Sequence, residues 1–204
     1  MARTSERGGP QTRSKIAEVA ARLFIDRGYD EVTVAEVARE AGVSSVTVFN
    51  HFPRKEDLFL DRAVDAEEIL RTAVHDRAPG VDVLESLRAA TFRLIDAGHP
   101  LSGLDDRSIP FFRTVAASPA LVARAREIAF ELQRVLATEL DREPNAGCDG
   151  ALLAAFFVGG YSTVLVETAS RLIAGESRTI VGVEHRARID TLFDTLRSGV
   201  LSTD

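Results

Sequence analysis

The sequence predicts an all-α fold of about nine helices. Three observations carry this. Apolar residues recur at helical spacing in nearly every segment, no segment sustains the alternation of a half-buried strand, and no internal repeat is present. The composition is that of an ordinary globular chain: 204 residues, 45% hydrophobic and 27% charged.

Ile16, Ala20, Leu23 and Phe24 share one face of a first helix, which Gly28 ends. Thr33 to Glu36 has the form of a capping box: the Thr oxygen accepts the Glu36 N–H and the carboxylate reaches back. The short helix behind it turns Val34, Val37, Ala38 and Ala41 inward and stops at Gly42. Ser44 caps the next helix, Ser45 to Phe52, and Pro53 breaks it. Arg54 to about Asp76 reads as one long helix carrying Leu58, Phe59, Ala63 and Leu70. A turn at Ala78-Pro79-Gly80 follows, then a helix over 82–97, a loop from Gly98 to Gly103 and a short helix from Ser108 to Ala117. Ser118-Pro119 opens a helix to about Leu140, Cys148 to Ala174 is long and apolar, and Thr179 to Leu201 is the last.

Several classes are excluded. The lone Cys148 allows neither a disulfide framework nor a cysteine-rich metal site, and fits a reducing, cytoplasmic location. The N-terminal charges have no apolar stretch behind them, so no secretory signal is expected. Ala151 to Val166 is short for a membrane span and is bracketed by Asp149 and Glu167, so it reads as a core helix. Residues 1–60 carry nine bases and nine acids, and the whole charge of −6 falls beyond them. A nucleic-acid surface would therefore sit in the neutral N-terminal third and depend on local clusters.

The informative unit is the pair of short helices around Gly42. Ala38 is small where two helices cross closely, Gly42 suits a positive φ, and Val43 and Val48 face inward. This is the spacing of a helix-turn-helix, whose second helix lies in the DNA major groove. The wider string is more specific. Thr33-Val34-Ala35-Glu36-Val37-Ala38-Arg39-Glu40-Ala41-Gly42-Val43-Ser44, followed by Thr47-Val48-Phe49-Asn50-His51-Phe52-Pro53-Arg54-Lys55, resembles the N-terminal domain of the TetR family of bacterial regulators. The likeness covers about residues 12–60.

The resemblance implies a helix-turn-helix DNA-binding domain over 12–54, a flexible basic tail over 1–11, and a ligand-binding and dimerisation domain over 55–204. It implies a homodimeric repressor of a near-palindromic operator, released by a small apolar or amphipathic effector. Thr33, Thr47 and Lys55 fall where the family contacts phosphates, which fix position without reading sequence. Ser45, Val46, Asn50 and His51 are the base-edge candidates, since Asn pairs with adenine and Val meets a thymine methyl. Ser44 is read first as a cap. Arg13, with Arg3 and Arg7 of the tail, is placed to reach an adjacent groove. Two positions depart from the family pattern. Phe49 stands where a Tyr hydroxyl commonly touches phosphate, and Arg54 replaces a small capping residue.

In the larger domain, Phe92, Phe111, Phe112, Phe130, Phe157 and Tyr161 are the pocket candidates, with Arg113 and His99 able to orient a polar group. The segment from Arg107 to Leu121 resembles family members that sense acyl-CoA-like ligands. The family's last two helices form a four-helix dimer interface, here Ala155, Gly159, Ser162 and Val166 with Ile189, Phe193 and Leu196. One alternative keeps DNA binding but places control in a protein partner. A remote one is a helical metal-dependent hydrolase, suggested by His75-Asp76 and by Asp61, Asp65 and Glu68 on one helix face. Phosphate-loop, dinucleotide and His-x-x-x-His motifs are missing from the sequence, so no enzyme, cofactor or metal is expected.

Overall fold

The computed structural model describes residues 5–105, 107–143 and 149–200. Among the described residues lie nine α-helices, two single turns of 3-10 helix and no strand. The chain divides into two compact units. The first holds the chain up to Asp61 together with Thr114–Ala125; the second holds Arg62–Arg113 and the chain from Arg126 onward.

The first unit contains α1 (Ser5–Arg27), α2 (Val34–Ala41), α3 (Ser45–His51) and a 3-10 turn at Glu56–Leu58. The face of α1 expected to be apolar is buried, with Ile16, Ala20 and Phe24 fully so. Phe24 meets the rings of Tyr29 and Phe59 edge-on, at 5.1 and 5.9 Å. Of the expected tail, residues 1–4 lie outside the described residues, and residues 5–11 form the start of α1. Pro10 leaves one bond unmade there, but Gln11 to Lys15 are adequate helix formers and carry the register back through it.

The long helix expected from Arg54 is not formed. The chain makes the 3-10 turn instead, pinned within the first unit by Arg124 Nε donating to Asp57 Oδ1 at 2.8 Å. The next helix, α4, begins only at Ala63. The boundary read at residue 54 thus falls inside the first unit.

The second unit contains α4 (Ala63–His75), α5 (Val83–Asp96), a 3-10 turn at Pro100–Ser102, α8 (Gly150–Ile173) and α9 (Arg178–Val200). Parts of α6 (Ser108–Ala117) and α7 (Pro119–Asp141) belong to each unit. The expected helix ends Cys148 and Leu201 lie outside the described residues. Leu84, Leu87, Leu136, Leu153, Ile189 and Phe193 form the heart of the core. α8 and α9 pack along their length, and Gly160 makes this approach fit: a Cβ there would collide with Leu192.

α8 is long and apolar enough to cross a membrane by length and composition. One flank, including Leu153, Phe157, Val158 and Val164, enters the core. The other leaves Leu152, Phe156 and Val166 more than half exposed. The expectation of a core helix therefore holds for one flank of α8.

Candidate nucleic-acid interface

The turn between α2 and α3 is built as its residue types require. The Thr33 hydroxyl accepts the Glu36 N–H at 3.2 Å, and the Glu36 carboxylate accepts the Thr33 N–H at 2.8 Å. That backbone bond, then Arg27 Nη2 at 2.9 Å and the Thr33 hydroxyl, hold the Glu36 pKa down to about 2. Gly42 takes φ 71°, a left-handed turn that costs a side chain strain, and so closes α2. Ser44 caps α3: its Oγ accepts the Thr47 N–H at 3.0 Å and pairs with Thr47 Oγ1 at 2.8 Å.

α3 has only seven residues, too few to hold together alone. Val48 and Phe52, both buried, fasten its inner side. The outer side presents Val46, 69% exposed, and Phe49, 50% exposed, with Asn50 exposed and Ser45 half-buried. These four sit at i, i+1, i+4 and i+5 and share one face. Thr33 and Arg54 are exposed; Thr47 and His51 are half-buried.

Two expected DNA contacts turn inward instead. Arg13 Nη1 donates to the His51 carbonyl at 2.8 Å and Nη2 to the Asp61 carbonyl at 3.1 Å. Its guanidinium lies 4.1 Å over the Phe52 ring. A cation at the end of α3 satisfies a carbonyl that the helix leaves open. Lys55 Nζ donates to the Tyr29 carbonyl at 2.6 Å and sits 4.0 Å over the Tyr29 ring. Burial pushes the Lys55 pKa down. Both reach into the domain because a half-buried carbonyl and an aromatic face outbid water for the charge. Arg13→Ala is expected to cost about 2 kcal/mol. It should also speed amide exchange in α3 more than in α1, measured by hydrogen–deuterium exchange.

The candidates of the larger domain scatter. Phe157 is buried against Phe193 and Tyr161, at 5.6 and 6.2 Å, so it is core. The Tyr161 hydroxyl donates to the Leu101 carbonyl at 2.9 Å. Phe92 is half-buried beneath the guanidinium groups of Arg88 and Arg186. Phe111 and Phe112 stack edge-on at 5.7 Å, and Phe112 packs against Gly103. Phe130 is 61% exposed, whereas the apolar stripe of α7 that faces the core runs through Leu136 and Leu140. Arg113 is exposed, and His99 Nδ1 accepts the Leu101 N–H at 3.2 Å as a local cap. A surface cleft of about 550 Å³ does exist, but charged residues line it, among them Glu67, Arg71, Arg134 and Glu139, and none of these aromatics does.

The dimer candidates divide in the same way. Ala155 and Val166 are exposed, and Gly159 and Ser162 half-buried, on the open flank of α8. Ile189, Phe193 and Leu196 are almost wholly buried in the subunit's own core, so they have nothing to offer a partner. Their 3–4 spacing marks the inward face of α9. The large apolar side chains that α9 exposes are Ile180 and Val183.

Comparison with known proteins follows this geometry. The sequence model of bacterial regulatory proteins of the tetR family matches residues 16–61, which span α1 from Ile16, the turn and α3. Over these residues the chain is similar to the N-terminal domain of the tetR family. It is 29% identical over 136 residues to the regulator TcmR of Streptomyces glaucescens, covering 62% of this chain and 59% of that one. It is 33% identical over 107 residues to the repressor KstR2 of Rhodococcus jostii, covering 47% and 48%. The match spans less than two thirds of either relative. Among solved structures, Thermus thermophilus FadR, a TetR-family repressor in complex with lauroyl-CoA, superposes with TM-score 0.59 at 25% identity. It covers 94% of this chain and 96% of that one.

Two features of this chain give no sequence signal. His75 lies between Glu139 (Nε2–Oε2, 3.0 Å) and Glu143 (Nδ1–Oε1, 3.3 Å), with Arg71 and Arg142 also on Glu139. The bond to Glu139 raises the His75 pKa. The groups lie 64 and 68 positions apart, so no local pattern joins them. This arrangement replaces the metal dyad suggested by His75-Asp76, and no group of three metal-ligating side chains occurs among the described residues. The second feature is His185, buried on α9, whose Nδ1 meets Thr168 Oγ1 of α8 at 2.8 Å.

Proposed function

We propose that the protein is a homodimeric, cytoplasmic transcriptional repressor that binds a near-palindromic duplex operator and is released by a small effector. The observation that carries the reading is α3: a capped, fastened helix whose outer face is free of the domain's core. Thr33, Thr47 and Arg54 are the side chains for backbone phosphates, and Ser45, Val46, Phe49 and Asn50 those for bases. Two copies pair along the flank where Leu152, Phe156 and Val166 of α8 and Ile180 and Val183 of α9 are exposed. Pairing sets two reading helices about 34–36 Å apart, one turn of duplex.

The effector is proposed as an amphipathic acyl-CoA. Support comes from the lauroyl-CoA complex of the Thermus relative and from the likeness of the segment Arg107 to Leu121 to acyl-CoA-sensing members. An effector that favours a different helix separation weakens binding through linkage alone.

The test is selection of bound duplexes from a random library at about 0.15 M salt, where non-specific phosphate binding is weak. A palindromic motif is expected. Lauroyl-CoA added to the selected complex is then expected to release the duplex. Failure to enrich any motif, with folded dimeric protein, would overturn the regulator; retention of the duplex at saturating lauroyl-CoA would overturn the effector class.

A further inference from the structure

We infer that α3 selects its operator through the methyl groups of thymines, with Val46 and Phe49 as the selecting residues. The inference rests on the DNA-binding reading above and gives it a chemistry. The outer face of α3 has four residues, Ser45, Val46, Phe49 and Asn50, and none is cationic. Guanine presents two acceptors in the major groove and is read by Arg or Lys. α3 has neither, so it has no strong reader of guanine. What it holds out is apolar: Val46 and Phe49 lie one turn apart, 69% and 50% exposed, while Val48 and Phe52 complete the core without them.

Two bare apolar side chains on one turn of helix need a covering group. The charge around them says which kind. From Ala41 to Lys55 there is no carboxylate, in a chain with 31 acidic residues, and Arg54 stands exposed near the end of the stretch. That surface suits a polyanion. On the floor of a major groove, the apolar group available is the thymine C5-methyl. Asn50 lies one turn beyond Val46 and matches adenine N6 and N7, so both contacts favour A·T pairs under α3.

The experiment uses the full-length dimer and duplexes selected from the random library. Each thymine of a half-site is replaced in turn by deoxyuridine, which removes only the methyl, and affinity is read by fluorescence anisotropy. At one or two positions per half-site the duplex is expected to bind about fourfold more weakly, the value of burying one methyl-sized group. With Val46→Ala, which alters an exposed residue, the difference between thymine and uracil at one of those positions is expected to vanish. Equal binding of every deoxyuridine duplex, or a selected half-site of G·C pairs alone, overturns the methyl reading and leaves DNA binding standing. Failure to select any duplex overturns both.

Discussion

Phe193→Ala is expected to cost about 3–5 kcal/mol of folding stability in denaturant titration, the range for removing a buried aromatic ring. Phe193 is 2% exposed, touches Phe157 and sits in a core shared by α4, α5, α7, α8 and α9. Val166→Asp, on the open flank of α8, is expected to do the reverse. It should change subunit stability by less than about 0.5 kcal/mol, as exposed substitutions do, and abolish association in sedimentation velocity. If Phe193→Ala left stability intact and broke the proposed dimer, the assignment of α9's inward face would be wrong.

The second large effect is on pH. His185 is 1% exposed, and its Nε2 has no hydrogen-bond partner among the described residues. Burial, with a smaller contribution from Arg188, lowers its pKa from 6.5 to about 4. The folded protein therefore keeps His185 neutral where the unfolded chain would protonate it. This contribution to stability is whole above pH 6.5 and is lost as pH falls toward 4, about 3 kcal/mol in all. His185→Gln keeps a polar atom for Thr168 and does not titrate, so it should flatten the acid limb of a stability–pH curve. An acid limb unchanged by His185→Gln would remove His185 as its cause. His75 works in the opposite sense. Its pKa is raised by Glu139, so its contribution is present at low pH and lost as pH rises through the raised value.

What was legible in the sequence is local. The capping box at Thr33, the left-handed turn at Gly42 and the Ser44 cap each depend on atoms within three or four residues, and the motif around them is dense enough to identify. Periodicity also shows which face of a helix is buried. It does not show against what. The stripe Ile189, Phe193, Leu196 is equally good as a core face and as a dimer face, and only the packing of α8 decides between them. Charged side chains show a similar limit. A basic residue near a helix-turn-helix suggests phosphate, yet Arg13 and Lys55 find carbonyls 38 and 26 positions away. The 3-10 turn at Glu56–Leu58 gives no local signal, because the Arg124–Asp57 pair beside it joins residues 67 positions apart. His185 with Thr168, and His75 with Glu139, are products of tertiary contact alone.

The separation of duties within α3 has a practical consequence. Its anchoring is done by Ser44, Val48 and Phe52, with Arg13 on the last carbonyl, whereas Ser45, Val46, Phe49 and Asn50 take no part in it. The outward four form a cassette. Val46, Phe49 and Asn50 are exposed and Ser45 half-buried, and exposed positions tolerate replacement at small cost to the domain. Under the proposed DNA-binding role, a library randomised at these four codons, with the anchors held constant, is expected to yield variants that select different duplexes from the same scaffold.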